Sequence, residues 1–393
     1  MSGDTTQHSL VNIVKTIIEQ FQLSNLITPS LQQPITESTS VKEIPKEEIK
    51  LKNLKTIPSN LIIDKDDYNI IVLSGGGKKG MAQLGFLHGL YINKLINFDK
   101  IKIFIGTSIG AIINFLLVIN YSPVEIFSYV CTKQRASSKD MKMNVTNIFS
   151  NFGCFDSNAL FDNILKITED KLGFIPTLSE LYEIFGKHFI CVVHNLSADI
   201  YNGDEETLYI DHISNPNLSF IEALKMTSNI PIIFEKYVYD KNYYIDGALS
   251  DNYPVEYAHK RFGDNKKILG ICVGKHGNIL KDKMIDNKNV NIIDYIKLIL
   301  TISFRSNNNK SMNYSGKNIH SISMIIDDTN DNRFDLSPTT NFSLFSIGYQ
   351  SSLKLLPKLR DDITDINEDE EEWKEDINEP IEILLKRNKE KQD

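Results

Sequence analysis

Asn69-Ile-Ile-Val-Leu-Ser-Gly75-Gly76-Gly77-Lys78-Lys79-Gly80 and, further on, Ile101-Lys-Ile-Phe-Ile-Gly106-Thr107-Ser108-Ile109-Gly110-Ala111 decide how this chain folds. Each stretch is an apolar run that breaks at a glycine turn and continues in a helical pattern. The periodicity predicts strands at 69–74 and 101–105 and helices at 79–93 and 109–120. Two consecutive strand–turn–helix units result. A glycine turn can aim backbone N–H groups at an oxyanion. G-x-S-x-G holds a serine on a sharp turn at the end of a strand, where only small neighbours fit. The serine then sits at a helix N-terminus, whose partial positive charge favours developing negative charge.

The rest of the chain bounds what these units can belong to. At 393 residues it can hold one large α/β domain with extensions. Hydrophobic content of 41% and charged content of 24% are those of a globular protein. The net charge of −8 argues against nucleic-acid binding and against strong electrostatic docking on anionic membranes. Cys131, Cys154, Cys191 and Cys272 are scattered, and three of the four lie in apolar runs, so buried thiols in a reducing, intracellular compartment are expected. The eight histidines show no metal-ligand spacing, so no metal is expected. Met1 to His8 is too polar for a signal peptide. The apolar run 103–119 divides into strand, turn and helix at Gly106, Ser108 and Gly110, which argues against a transmembrane helix and, with the polar start, for a cytoplasmic protein.

Outward from the two units, a short amphipathic helix at 10–23 and a Ser/Thr/Pro/Glu/Lys-rich stretch make residues 1–60 an N-terminal arm. The compact domain is expected over 61–360, and the Asp/Glu-rich run makes 361–393 an acidic tail. Ser122/Glu125, Thr177/Glu180 and Ser219/Glu222 read as capping boxes that open helices. Residues 135–153 read as a loop, 157–170 and 291–304 as helices, 188–196 as a buried strand, 267–273 and 321–326 as further strands, and 343–358 as a helix. Alternating strands and helices predict a mainly parallel sheet covered on both faces.

Gly75 to Gly80 also spells G-x-G-x-x-G, the dinucleotide fingerprint. That site wants an acid at the end of the second strand, and Gly106-Thr107-Ser108 stands there instead. Met81 and Ala82 after Gly80 do not make a Walker A loop. A serine nucleophile needs a base. His194, His212, His259, His276 and His320 follow Ser108, but none sits in a strand-end glycine turn; His194 reads as a core residue and His259 as exposed. Asp246 does stand where a strand meets Gly247 and Ala248, and a carboxylate within reach can serve as the base directly.

This constellation resembles the patatin-like phospholipase family over residues 68–275. Gly75-Gly-Gly-Lys-Lys-Gly80 is similar to its glycine-rich oxyanion motif, and Gly106-Thr-Ser-Ile-Gly110 to its nucleophile elbow. Asp246-Gly-Ala248 is similar to its acidic turn, with Ala248 in place of the commoner glycine. Thr227-Ser-Asn-Ile-Pro231 is similar to the small-residue segment that precedes the Asp strand. The resemblance implies a three-layer α/β/α fold and hydrolysis of acyl esters of phospholipids or related lipids. It implies Ser108 as nucleophile, Asp246 as base and an oxyanion hole from Gly75, Gly76, Gly77, Lys78, Lys79 and Gly80, with the N–H groups of Gly76, Gly77 and Lys78 foremost. Gly106 and Gly110 shape the elbow, and Gly247 and Ala248 the acidic turn. No cofactor is implied, and transient contact with a membrane surface is. A catalytically silent lipid-binding protein on the same fold is the alternative.

Overall fold

The computed structural model describes residues 68–137, 150–263, 266–274, 311–316, 318–326 and 338–354. All of them belong to one compact unit, 51–359. The N-terminal arm, the acidic tail, the helix expected at 291–304 and His276 lie outside the described residues.

The strands are β1 (Tyr68–Leu73), β2 (Ile103–Thr107), β3 (Gly153–Phe155), β4 (His188–Asn195), β5 (Thr207–Ile210), β6 (Ile232–Phe234), β7 (Tyr237–Tyr239), β8 (Asn242–Asp246), β9 (Lys267–Gly274) and β10 (Ile319–Ile325). The helices are α1 (Gly80–Ile92), α2 (Ile109–Val118), α3 (Pro123–Ser137), α4 (Asn158–Leu172), α5 (Leu178–Phe185), α6 (Phe220–Thr227), α7 (Val255–Phe262) and α8 (Pro338–Leu353). The main sheet runs β10-β9-β1-β2-β4-β8-β7, with β5 also on β4, while β3 and β6 form a separate pair. The pairings from β10 to β4 are parallel, and those of β4 with β5 and β8, and of β8 with β7, are antiparallel.

The central strands are buried on both alternations, as a sheet covered on two faces requires. On one face Ile70, Val72, Ile103, Ile105, Ile190, Ile268 and Cys272 pack against Tyr253 and against Val255 and Ala258 of α7. On the other, Phe189 of β4 meets Phe115 of α2 edge-on, and Phe115 stacks on Phe220 of α6 at 4.0 Å between centroids. The three layers are therefore helix, sheet and helix.

The register on β4 brings two strand ends together. β2 pairs with residues 188–192 of β4, and β5 pairs with residues 191–194. Two strands that share the same partners must lie on opposite edges. β8 pairs with 193–195, which overlaps β5, so β8 lies on the edge opposite β5. β2 and β8 thus occupy the same edge of β4, end to end and in opposite directions. β2 stops at Thr107 opposite Val192, and β8 stops at Asp246 opposite Val193.

Two local expectations change. Residues 135–153 are not loop throughout: α3 continues to Ser137 and β3 begins at Gly153. The boxes at Ser122/Glu125 and Thr177/Glu180 form, with reciprocal side-chain and backbone bonds. The box at Ser219/Glu222 does not. Ser219 is bridged to Thr177 through its backbone, its buried Oγ has no partner among the described residues, and Glu222 pairs with Lys225 at 3.7 Å instead.

Candidate active site

Ser108 follows directly on β2 and caps α2, with φ 55° and ψ −124°. A positive φ is uncommon for a residue with a Cβ and costs about 1–3 kcal/mol, so its neighbours must hold it there. Gly110 is one reason they can. A Cβ on Gly110 would lie 2.5 Å from the Leu73 carbonyl oxygen and 2.7 Å from that of Ser74. Only glycine lets α2 start so close to the end of β1. Gly106 has the same function beneath the turn, where a Cβ would sit 2.5 Å from the Ala111 nitrogen.

The Ser108 Oγ donates to Asp246 Oδ2 at 2.7 Å, and both residues are buried. The other carboxylate oxygen, Oδ1, accepts from the Ala248 N–H at 2.8 Å. Burial pushes the Asp246 pKa up from 3.8 to about 7, against the lowering effect of the bonds from Ser108 and Ala248. A carboxylate raised to that range is a far better proton acceptor for an alcohol than an ordinary surface aspartate. Gly247 gives the turn room against β4: a Cβ there would lie 2.2 Å from the Val192 oxygen.

The glycine-rich loop lies beside the serine, since a Cβ on Gly75 would be 3.3 Å from the Ser108 Cβ. Its amides divide into two groups. Gly75 N–H donates to the Asn252 oxygen at 3.1 Å, Lys79 N–H to Gly76 O at 3.3 Å, and Gly80 N–H to Gly77 O and Lys78 O. Those three amides serve the loop itself, which narrows the six-residue oxyanion expectation. Gly76 and Gly77 N–H have no acceptor among the described residues. Gly77 is the exposed tip, at φ 56°, and Lys78 behind it is buried.

Gln83, which the sequence does not single out, and Thr227 and Asn229 of the small-residue segment hold this arrangement. Gln83 Nε2, buried in α1, donates to Ser74 O at 3.0 Å and to Ile271 O at 3.2 Å, fixing the entry to the glycine loop. Thr227 at the end of α6 accepts the Ser108 N–H at 3.0 Å and donates to Val192 O. Asn229 O accepts the Asp246 N–H at 2.9 Å. Of these, only the segment Thr227–Pro231 carries a motif; for Gln83 the signal that could mark it is a polar residue within the apolar pattern of α1.

The histidines are elsewhere. His194 pairs across the sheet with Ile245, one position out of register with Asp246, so its side chain points to the opposite face. His212 stacks on Tyr182 at 3.9 Å between centroids, and His320 Nδ1 lies 2.6 Å from Tyr68 Oη. His259 is half-buried, not exposed, because its Nδ1 bonds Tyr314 Oη at 2.8 Å. None of these described histidines hydrogen-bonds Ser108 or Asp246. Cys131, Cys191 and Cys272 are buried free thiols. No helix among the described residues is long and apolar enough to cross a membrane.

A family model described as patatin-like phospholipase matches residues 71–259. The chain is 31% identical over 209 residues to Probable lipid hydrolase 463L of Invertebrate iridescent virus 6, and the match covers 51% of this chain and 66% of that protein. It is 27% identical over 305 residues to an uncharacterized protein of Acanthamoeba polyphaga mimivirus, covering 76% of this chain and 96% of the relative. Among solved structures, VipD from Legionella pneumophila is similar at 15% identity and a TM-score of 0.40, over 74% of this chain and 67% of that one.

Proposed function

Proceeding from a chain whose residues 71–259 are a patatin-like phospholipase domain, we propose that it hydrolyses carboxylic ester bonds of phospholipids or related acyl lipids through a Ser108–Asp246 dyad. The observation that carries the reading is the buried 2.7 Å hydrogen bond from Ser108 Oγ to Asp246 Oδ2. It joins a nucleophile on a strained elbow to a carboxylate whose pKa is raised into the working range. The name of the iridescent-virus relative is consistent with the same substrate class.

In this mechanism Ser108 Oγ attacks the acyl carbon while Asp246 takes its proton. The carbonyl electron pair moves to oxygen, and the oxyanion accepts hydrogen bonds from Gly76 and Gly77 N–H, with Lys78 beside them. Collapse expels the alcohol, which receives the proton from Asp246. Asp246 then removes a proton from water, the hydroxide attacks the acyl-serine, and collapse releases the fatty acid and reprotonates Ser108. Donors that are already oriented need no reorganisation as charge appears, and each is worth about 2.7–4 kcal/mol in the transition state. The substrate resides in a lipid surface, so turnover includes transient contact with it. The buried thiols suit a reducing, cytoplasmic setting.

The test is fatty-acid release from mixed phospholipid vesicles by the purified full chain, beside Ser108→Ala and a fluorophosphonate probe. Release and labelling that both vanish in Ser108→Ala are expected. Vesicle binding without release would identify the silent lipid-binding alternative.

A further inference from the structure

The segment 227–229 was recognisable in sequence only as small residues before a proline. In the structure it touches both members of the dyad. Thr227 Oγ1 accepts the Ser108 N–H at 3.0 Å and donates its own O–H to Val192 O. Two residues later, Asn229 O accepts the Asp246 N–H at 2.9 Å, and Asn229 Nδ2 donates to Tyr244 O at 3.0 Å. We propose that Thr227 is a positioning residue, and that the segment it opens is a rigid clamp that sets the separation between the Ser108 and Asp246 side chains.

Three features make the segment suited to that role. It is short and locked: Ser228 N–H donates to Leu224 O at 3.2 Å, Asn229 N–H to Met226 O at 3.4 Å, and Ile230 N–H to Ser228 O at 2.9 Å. It is buried throughout, so no water competes for its bonds. Its third anchor, Val192, is the β4 residue opposite Thr107, and Val193 next to it is opposite Asp246. The clamp therefore references nucleophile and base to the same point on the same strand. It also explains how the Ser108 N–H is satisfied at a positive-φ elbow, leaving the oxyanion to the glycine loop.

This inference rests on the esterase reading, and the experiment separates the two. Full-length wild type, Ser108→Ala, Thr227→Val and Thr227→Ser are compared on a soluble short-chain ester, well below their melting midpoints. Thr227→Val keeps the shape and removes the hydroxyl. A misplacement of about 1 Å in a reacting group costs on the order of 10²-fold, so Thr227→Val should lose about that much kcat with KM little changed. Thr227→Ser, which keeps the hydroxyl, should recover kcat to within about threefold of wild type. A folded Thr227→Val with wild-type kcat would overturn the clamp, as would a loss that Thr227→Ser does not recover. If Thr227→Val does not fold, Thr227→Ala removes the same hydroxyl and carries the test; failure of both to fold, with Thr227→Ser folded, would mean the hydroxyl serves the fold and would also overturn it. Wild-type turnover no higher than that of Ser108→Ala would sink the esterase reading itself.

Discussion

Thr107 and Asp246 occupy neighbouring positions along one edge of β4, the first opposite Val192 and the second opposite Val193. The serine after Thr107 thereby meets the carboxylate with no third residue between them. A base so placed should dominate turnover. Asp246→Asn keeps the shape, can still accept from Ala248 N–H, and cannot take the serine proton. Turnover on a soluble ester should fall by more than about 10²-fold while the far-ultraviolet spectrum is unchanged. A variant with near-wild-type turnover would remove Asp246 from the mechanism.

The same carboxylate predicts a pH profile. With a pKa of about 7, Asp246 is protonated and idle as a base below that value. The kcat should therefore rise through about pH 7 and level off above it, as titration of one essential base requires. A rise centred near pH 4 would indicate a solvated carboxylate.

Stability should move the other way. The folded-state pKa of Asp246 lies above the ordinary carboxylate value of 3.8, so the folded protein holds this proton more tightly than the unfolded chain. That contribution is complete below about pH 4 and is lost as pH rises through about 7. Asp246→Asn is free of it. Its melting temperature should exceed that of wild type at pH 8, and the gap should narrow at pH 5. Equal gaps at both values would contradict the burial argument.

The two glycine substitutions Gly77→Ala and Gly110→Ala should fail differently. Gly77 has open space around its Cβ position, so Gly77→Ala meets only the backbone cost of φ 56°, about 1–2 kcal/mol. The loop should relax away from that conformation, lowering kcat while vesicle binding and melting temperature change little. Gly110→Ala drives a Cβ against the Leu73 and Ser74 carbonyls. It should lower the melting temperature as well, by an overpacking cost of about 1–3 kcal/mol. Calorimetry beside ester turnover separates the two patterns.

Much of this was legible in the chain because the signals are local. The strand at 69–74, the elbow, the Thr177 box and the strand at 188–196 depend on residues near one another in sequence, and the structure places them within one or two positions of expectation. β5, β6 and β7 leave no such signal in the sequence. They are short and half-exposed, so they carry neither a long apolar run nor a clean alternation. The antiparallel arrival of β8 was equally hidden, because register against β4 is a property of two distant segments. Thr227 and Asn229 are legible only as members of a small-residue segment before Pro231, because the groups they bond, at 108, 192 and 246, are distant in sequence. The loop amides show the same limit: six residues share the motif, but only the fold decides which N–H groups Asn252 and the loop's own carbonyls consume.

Ser108 and its base are 138 residues apart in the chain. At a synthesis rate of about 5–20 residues per second, the ribosome adds the serine roughly seven to twenty-eight seconds before the aspartate. Through that interval the growing polypeptide carries a nucleophile with no proton acceptor, and any fragment that ends before β8 stays in that condition. On the dyad reading, the enzyme is born inert and becomes active only when one of its last sheet pairings closes. On that reading no complete dyad exists until β8 has been made and has paired with β4.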